Sequence, residues 1–452
     1  MLERFSQCLH AWMEAEDIST AAVTRLLNYK SKTSILRALR GESNYAAYQR
    51  MYDLLSGDLS PAWQERFRAA LTVERIGASR AAVFEALDHQ LFNGSEMSSS
   101  VAPLPIPPGA NSGHLMIFGF SNPGLYGMLD QFLSSGKDVS VNHYMTADEL
   151  QNNPDLLTGL IGHISSVRYH ALLMPLDSSE IKSLTWNVML YLPVSGNDVW
   201  CLLSGIQKPV WLRMESAIDN MRTLADRIND LKLTQLYRFD ELKNGTDYIR
   251  FTEDAFRIER GRAAVIMKPT PGMQMLPAQA VESTFKDYLA ENTEPVAAMR
   301  EKLISIFEKR VNNFYHRNKP TLLYFSMRAM TEFARTGILS DQFFAFRPYT
   351  VQERIMCLEA LQAFTKREDV HLNLRDGPVW PVSFESYTGS GVLLYPSKTS
   401  YNSLYSAYRE LFLPGEAFSE LFRQYAEEYL FNACNNENTQ IERVIAAAQA
   451  AE

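Results

Sequence analysis

Cysteine is scarce and scattered in this 452-residue chain, at Cys8, Cys201, Cys357 and Cys434. No pair has the C-x-x-C spacing of a zinc ribbon or redox motif, and none has a local histidine partner. Neither a disulfide framework nor a metal site is therefore expected, and a reducing compartment fits buried free thiols. Long apolar runs are missing too. No stretch approaches the roughly 20 consecutive apolar residues that a membrane span needs. The N-terminal residues have no basic stretch followed by an apolar one, so no signal peptide is expected and the cytoplasm is the expected location. Positive charge is not in excess: 44 Lys and Arg against 52 Asp and Glu give a net charge of −8. A chain that coats nucleic acid along its whole length would be basic, so that class is excluded. The phosphate-loop pattern G-x-x-x-x-G-K-[ST], the dinucleotide pattern G-x-G-x-x-G and the zinc pattern H-E-x-x-H are all absent, and no cofactor is expected. The G-F-S-N-P-G run at 119–124 has one residue too many for a nucleophile elbow and reads as a turn. Gly389-Ser390-Gly391 precedes a strand pattern instead of following one, which suits a hairpin turn better than a phosphate loop.

What is present is ordinary folded-protein composition, with 46% hydrophobic and 21% charged residues. The length is too great for one hydrophobic core, and two to four domains are expected. Residues 1–92 read as helical. Leu2, Phe5, Leu9 and Trp12 mark a first helix, Val23, Leu26 and Leu27 a second, Ile35, Leu36 and Leu39 a third, and Tyr48, Met51, Tyr52 and Leu55 a fourth. Ser60-Pro61 opens another helix over 61–75, followed by one over 79–92 after a break at Gly77. Residues 93–113, rich in Ser and Pro, read as a linker.

Beyond the linker the pattern is mixed. Strands are expected at 115–121, 139–145, 169–176, 186–192, 199–206 and 210–214. A long amphipathic helix over 217–237, with Ile218, Met221, Leu224, Ile228 and Leu231 on one stripe, closes a lobe spanning 114–242. A second lobe, 243–452, has expected strands at 263–267, 321–325, 370–374 and 391–395. Its helices are expected over 280–316, 354–364, 400–411 and 417–434. Thr146 with Glu149 and Thr350 with Glu353 have capping-box spacing. That recurrence, and a histidine within a strand of each lobe (His143 and His371), give the lobes a faint mutual likeness.

The most informative stretch is 19–41, STAAVTRLLNYKSKTSILRALRG. Ser19 can cap a short helix, Asn28 can close it in the left-handed conformation, and Tyr29 can plug the turn. Ser31 can cap the next helix, whose buried face is Ile35, Leu36 and Leu39, and Gly41 can end it. The opposite face offers Lys32, Thr33, Ser34, Arg37 and Arg40, suitable donors to phosphates and base edges. Between Ser19 and Arg50 lie six basic residues (Arg25, Lys30, Lys32, Arg37, Arg40, Arg50) and one acid, Glu42, a local balance of +5 in a chain of net −8. Such asymmetry is the footprint of polyanion binding.

These residues resemble the helix-turn-helix family of Cro and lambda repressor (the Xre type), with Ser19, Ser31, Ile35 and Gly41 at matching positions. Asn28 stands where the family has glycine, and the turn is one residue longer. The resemblance covers about 55 residues. It implies that the helix containing Lys32 and Arg37 enters a major groove of double-stranded DNA and that Thr20 faces a phosphate. Thr20, Arg25, Lys30, Ser31, Lys32, Thr33, Ser34, Arg37 and Arg40 are the expected contacts. The expected fold class is thus multidomain: an all-α helix-turn-helix domain followed by α/β or α+β lobes.

The expected function is a DNA-binding transcription regulator, a homodimer, with a large region that senses a small-molecule or peptide effector. An enzyme with an appended helix-turn-helix head and a protein-interaction scaffold are the alternatives, and a small bundle with a merely solvated basic face is the plainer reading of 1–92. His163 and His170 share a face only if a helix spans both. Tyr387, Tyr395, Tyr401, Tyr405, Tyr408, Phe412 and Phe418 read as core, with room for a few in a ligand pocket.

Overall fold

The computed structural model describes residues 3–93, 103–119, 122, 124–135, 137–163, 166, 168–174, 188–195, 197–203, 209–215, 217–229, 234–236, 245–280, 283, 296–339, 347–375, 382–396, 411–430 and 439–450. The chain divides into two compact units, Met1–Ala86 and Leu87–Glu452.

The first unit is entirely helical. Its helices are α1 (Phe5–Ala15), α2 (Thr20–Leu26), α3 (Thr33–Leu39), α4 (Tyr45–Leu55) and α5 (Pro61–Ile76), with the start of α6 (Ala78–Asn93). Local chemistry sets most of the boundaries. Asp17, at φ 50°, turns the chain out of α1. The Ser19 hydroxyl then accepts from the Ala22 amide at 3.2 Å, and Asn44 and Ser60 cap α4 and α5 in the same way. Asn28 at φ 52° and Gly41 at φ 73° follow α2 and α3 in left-handed backbone. The amides of Gly41 and Glu42 close α3 by donating to the carbonyls of Ala38 and Arg37. Phe5, Trp12, Val23, Ile35, Tyr48 and Phe67 share one core, in which the Phe5 ring lies 4.6 Å from Tyr48 and 5.2 Å from Phe67.

Two sequence expectations fail here. Ser31 does not cap α3. Lys32 occupies the cap position with φ −67° and ψ −14°, already helical, and no side chain accepts from the first turn. Leu36 is not on the buried face. It is 41% exposed, because α3 buries the stripe of Ile35 and Ala38 and Leu36 lies about 100° further round the helix. Leu26 of α2 is likewise 45% exposed.

The second unit contains two mixed sheets. The first uses β1 (Ser112–Phe118), β2 (Asp138–Met145), β3 (Tyr169–Leu173), β4 (Val188–Pro193), β5 (Val199–Leu203), β6 (Val210–Met214) and β7 (Thr234–Gln235), in the order β6-β5-β4-β1-β2-β3-β7. Between the parallel strands β1, β2 and β3 run α7 (Gly124–Ser134), α8 (Ala147–Asn152) and α9 (Pro154–Gly162), since parallel neighbours need a crossover. Strands β4, β5 and β6 then form an antiparallel meander on the other side of β1. The helix expected over 217–237 is shorter: α10 (Ile218–Asn229) ends before β7, which pairs antiparallel to β3. Ile218 of its apolar stripe is buried; the Met221, Leu224, Ile228 and Leu231 side chains lie outside the described residues.

The second sheet uses β8 (Ala264–Lys268), β9 (Thr321–Ser326), β10 (Val370–Arg375), β11 (Val382–Tyr387), β12 (Gly391–Pro396) and β13 (Leu411–Pro414), in the order β10-β9-β8-β11-β12-β13. Around it are α11 (Gly245–Glu259), α12 (Val296–His316), α13 (Met327–Thr336), α14 (Val351–Phe364), α15 (Glu416–Gln424) and α16 (Thr439–Gln449). Strand β8 is parallel to β9, which is parallel to β10, while β11, β12 and β13 run antiparallel on the other side. Strands β8 to β13 thus repeat the order and directions of β1 to β6. Both capping boxes form: the Glu149 and Glu353 amides donate to the Thr146 and Thr350 hydroxyls, and each glutamate accepts in return from the threonine amide.

Among the elements of this unit not expected from the sequence are β11, β13 and α16. Of the helix expected over 400–411, residues 400–410 lie outside the described residues, and Leu411 opens a strand. Gly389, at φ 74°, sits in the hairpin turn between β11 and β12.

The core of this second sheet holds an unusual amount of charge. Glu385 on β11 meets Lys268 on β8 at 2.5 Å and accepts from Gln274 at 2.8 Å, Tyr387 at 2.6 Å and Tyr395 at 2.7 Å. Burial pushes the Glu385 carboxyl up, but Lys268 and Arg310 outweigh it and hold the group down at about 2. Beside it, Arg310 binds Glu259 at 2.8 Å with both groups buried.

Candidate nucleic-acid interface

The basic residues of the first unit are placed by α2, α3 and the connection between them. Thr20 opens α2 and is half-buried, with its carbonyl accepting from the Thr24 hydroxyl at 2.7 Å. Arg25 is exposed in the last turn of α2. Lys30 and Ser31 are exposed in the connection, Lys32 caps α3, and Thr33 and Ser34 are exposed in its first turn. Arg37 and Arg40 are exposed further along. Arg37 also reaches the Glu42 carbonyl at 3.5 Å, a long contact that leaves the guanidinium facing solvent. None of the six basic residues between Ser19 and Arg50 forms an ion pair among the described residues.

A groove of 830 Å³ runs between the connection, α3 and the start of α4. It brings together Lys30, Ser31, Ser34 and Arg37 with Asn44 and Arg50. Thr20, Arg25, Lys32, Thr33 and Arg40 do not line it. Arg50, counted in the local charge balance but not among the expected contacts, joins this site from α4. Tyr29 forms part of the same wall, half-buried against the core. Burial pushes its phenol up, and the neighbouring Arg50 charge opposes that. The groove therefore offers three cations from Lys30, Arg37 and Arg50 and hydroxyl donors from Ser31 and Ser34. Such a set can hold phosphate oxygens without any reacting group.

The other candidates are structural. His143 is fully buried in β2, with Nδ1 2.7 Å from the Tyr169 hydroxyl, and burial lowers its imidazole to about 3. His163 follows the end of α9, whereas His170 lies in β3, so no helix aligns them. Among the described residues no group of three or more His, Cys, Asp or Glu is placed to hold a metal ion. Tyr387 and Tyr395 are buried hydrogen-bond donors to Glu385, Phe418 is core, and Phe412 packs half-buried against the core. Tyr401, Tyr405 and Tyr408 lie outside the described residues. Among the described residues no helix is long and apolar enough to cross a membrane. No known protein family matches this chain, and no curated protein matches it.

Proposed function

We propose that the N-terminal unit binds double-stranded DNA and that the chain is a transcription regulator. In this reading α3 presents Lys32, Thr33, Ser34, Leu36 and Arg37 to a major groove. The α3–α4 groove, with Lys30, Arg37 and Arg50, takes backbone phosphates. The observation that carries the reading is the cluster of six basic residues without ion-pair partners among the described residues, in a chain of net −8, three of them lining one groove. A single head of this size grips few phosphates, so two heads in a homodimer would bind a near-palindromic site more tightly through effective concentration. The second unit would then hold the dimer and take an effector that favours one placement of the heads over another.

Fluorescence anisotropy of the full chain on duplex DNA, across a salt series, tests this. Affinity should fall steeply with salt and drop about tenfold or more in Lys30→Ala/Arg37→Ala/Arg50→Ala. No binding by the folded protein at low salt would sink the proposal. The exposed Leu26 and Leu36, apolar side chains in the same helices, favour a second reading in which this surface docks on protein. That reading gains if Leu26→Ser/Leu36→Ser abolishes partner capture while the triple charge variant leaves it unchanged.

A further inference from the structure

The second unit has a basic pocket of its own. It measures 670 Å³ and lies where the C-terminal ends of α11 and α12 meet. Arg260, Lys309, His316, Arg317 and Lys319 line it, and no carboxylate does. Counting the imidazole as neutral, the wall carries four positive charges. None of these four cations forms an ion pair among the described residues. The rival explanation is that they neutralise the two helix ends. Each end carries about half a negative charge, so together they offset about one of the four.

The unsatisfied groups in the wall all ask for the same kind of partner. Arg317 is 4% exposed, and all three of its guanidinium nitrogens are buried without a hydrogen bond. Its guanidinium lies over the Phe314 ring, whose centre is 5.0 Å away. The other buried cations nearby are paired: Lys268 has Glu385 and Arg310 has Glu259. Arg317 is therefore a buried charge with neither an ion pair nor a side-chain hydrogen bond among the described residues, and such a charge is costly unless a counter-ion is supplied. Asn313 adds a second orphan. Its carbonyl oxygen accepts from the Gly261 amide at 3.0 Å, which leaves its buried amide nitrogen as a donor without an acceptor.

We infer that this pocket binds a small phosphorylated anion, with Arg317 as counter-ion and Asn313, Arg260, Lys309 and Lys319 as donors. Orphan donors, excess positive charge and no acid lining together specify an oxyanion of more than one charge, and phosphate oxygens match both guanidinium and ammonium donors. The volume is in the range of small-molecule sites. The inference does not depend on DNA binding by the first unit.

The test is calorimetric titration of the full chain with inorganic pyrophosphate at about physiological ionic strength. One saturable site is expected, with a rise in the thermal midpoint as ligand is added. Lys309→Ala/Lys319→Ala changes only exposed side chains and should weaken binding tenfold or more. Arg317→Lys should retain binding and Arg317→Met should lose it; if Arg317→Met fails to fold, the exposed pair still decides. No saturable binding to the wild-type chain, or binding unchanged in Lys309→Ala/Lys319→Ala, overturns the assignment. A variant that loses affinity for duplex DNA, in a chain that never bound pyrophosphate, would assign the patch to nucleic acid and overturn it equally.

Discussion

Glu385 and Lys268 face each other across adjacent strands at 2.5 Å, both about 95% withdrawn from solvent. Removing one partner of such a pair costs about 3–5 kcal/mol, because the other charge stays buried. Glu385 also holds Gln274, Tyr387 and Tyr395, so its loss strands three further donors. Glu385→Gln should therefore lower the urea midpoint strongly. Lys268→Met/Glu385→Gln, which removes both charges and keeps a side-chain acceptor for those donors, should cost less than the single change. A double variant weaker than the single one would show that the network, not the ion pair, dominates.

Two carboxyls make this unit acid-sensitive. Glu385 and Glu353 are both held at about 2, against an ordinary 4.5. For Glu353 the leading cause is the Arg347 guanidinium, which donates to both carboxylate oxygens at 2.8 Å. Protonating these groups is harder folded than unfolded. Their stabilisation is complete above the unfolded value and is lost as pH falls from about 4.5 towards about 2. Urea midpoints across that range should decline, and Glu353→Gln should start lower and decline less steeply. Equal slopes for wild type and variant would remove Glu353 from the account.

The residues that were legible from sequence act locally. Ser19, Asn44 and Ser60 cap helices within three residues of themselves, and the two Thr-x-x-Glu boxes close within four. Strand 139–145 was legible from its alternation, and 321–325 from its short run of apolar residues. Strand β11 was not, because Ser383, Glu385 and Ser386 interrupt its pattern; it is buried only because Lys268, on a strand over a hundred residues earlier, neutralises Glu385. Leu36 misled for a related reason: which stripe of α3 is buried depends on α1 and α2, which pack on it, not on α3 alone. The same distance in sequence hid Arg50 from the groove and Arg317 from its pocket.

The turn between α2 and α3 gives a backbone prediction. Asn28 has φ 52°, where a β-carbon costs roughly 1–2 kcal/mol and asparagine is among the few tolerated side chains. Asn28→Gly should hold or raise the thermal midpoint. Asn28→Val should lower it and, by moving Lys30 and Ser31, also weaken any DNA binding. Equal stability of the glycine and valine variants would mean that the turn relaxes elsewhere.

The groove and the α3 surface should separate in their effects on DNA. Arg50 lines the groove on α4, outside α3, and in the proposed mode it meets a phosphate. A phosphate contact carries no sequence information, so Arg50→Ala should weaken specific and random duplexes alike and reduce the salt slope by about one. Leu36 has no charge to release counter-ions. Exposed among Thr33, Arg37 and Arg40, it can touch only apolar atoms of a groove, such as a thymine methyl. Leu36→Ala should leave the salt slope and random-DNA affinity unchanged while narrowing the gap between a selected site and random sequence. Anisotropy titrations of both variants on both duplexes read these two quantities directly. If Leu36→Ala instead weakened all duplexes equally, α3 would not be reading bases, and the exposed leucines would be better explained by a protein partner.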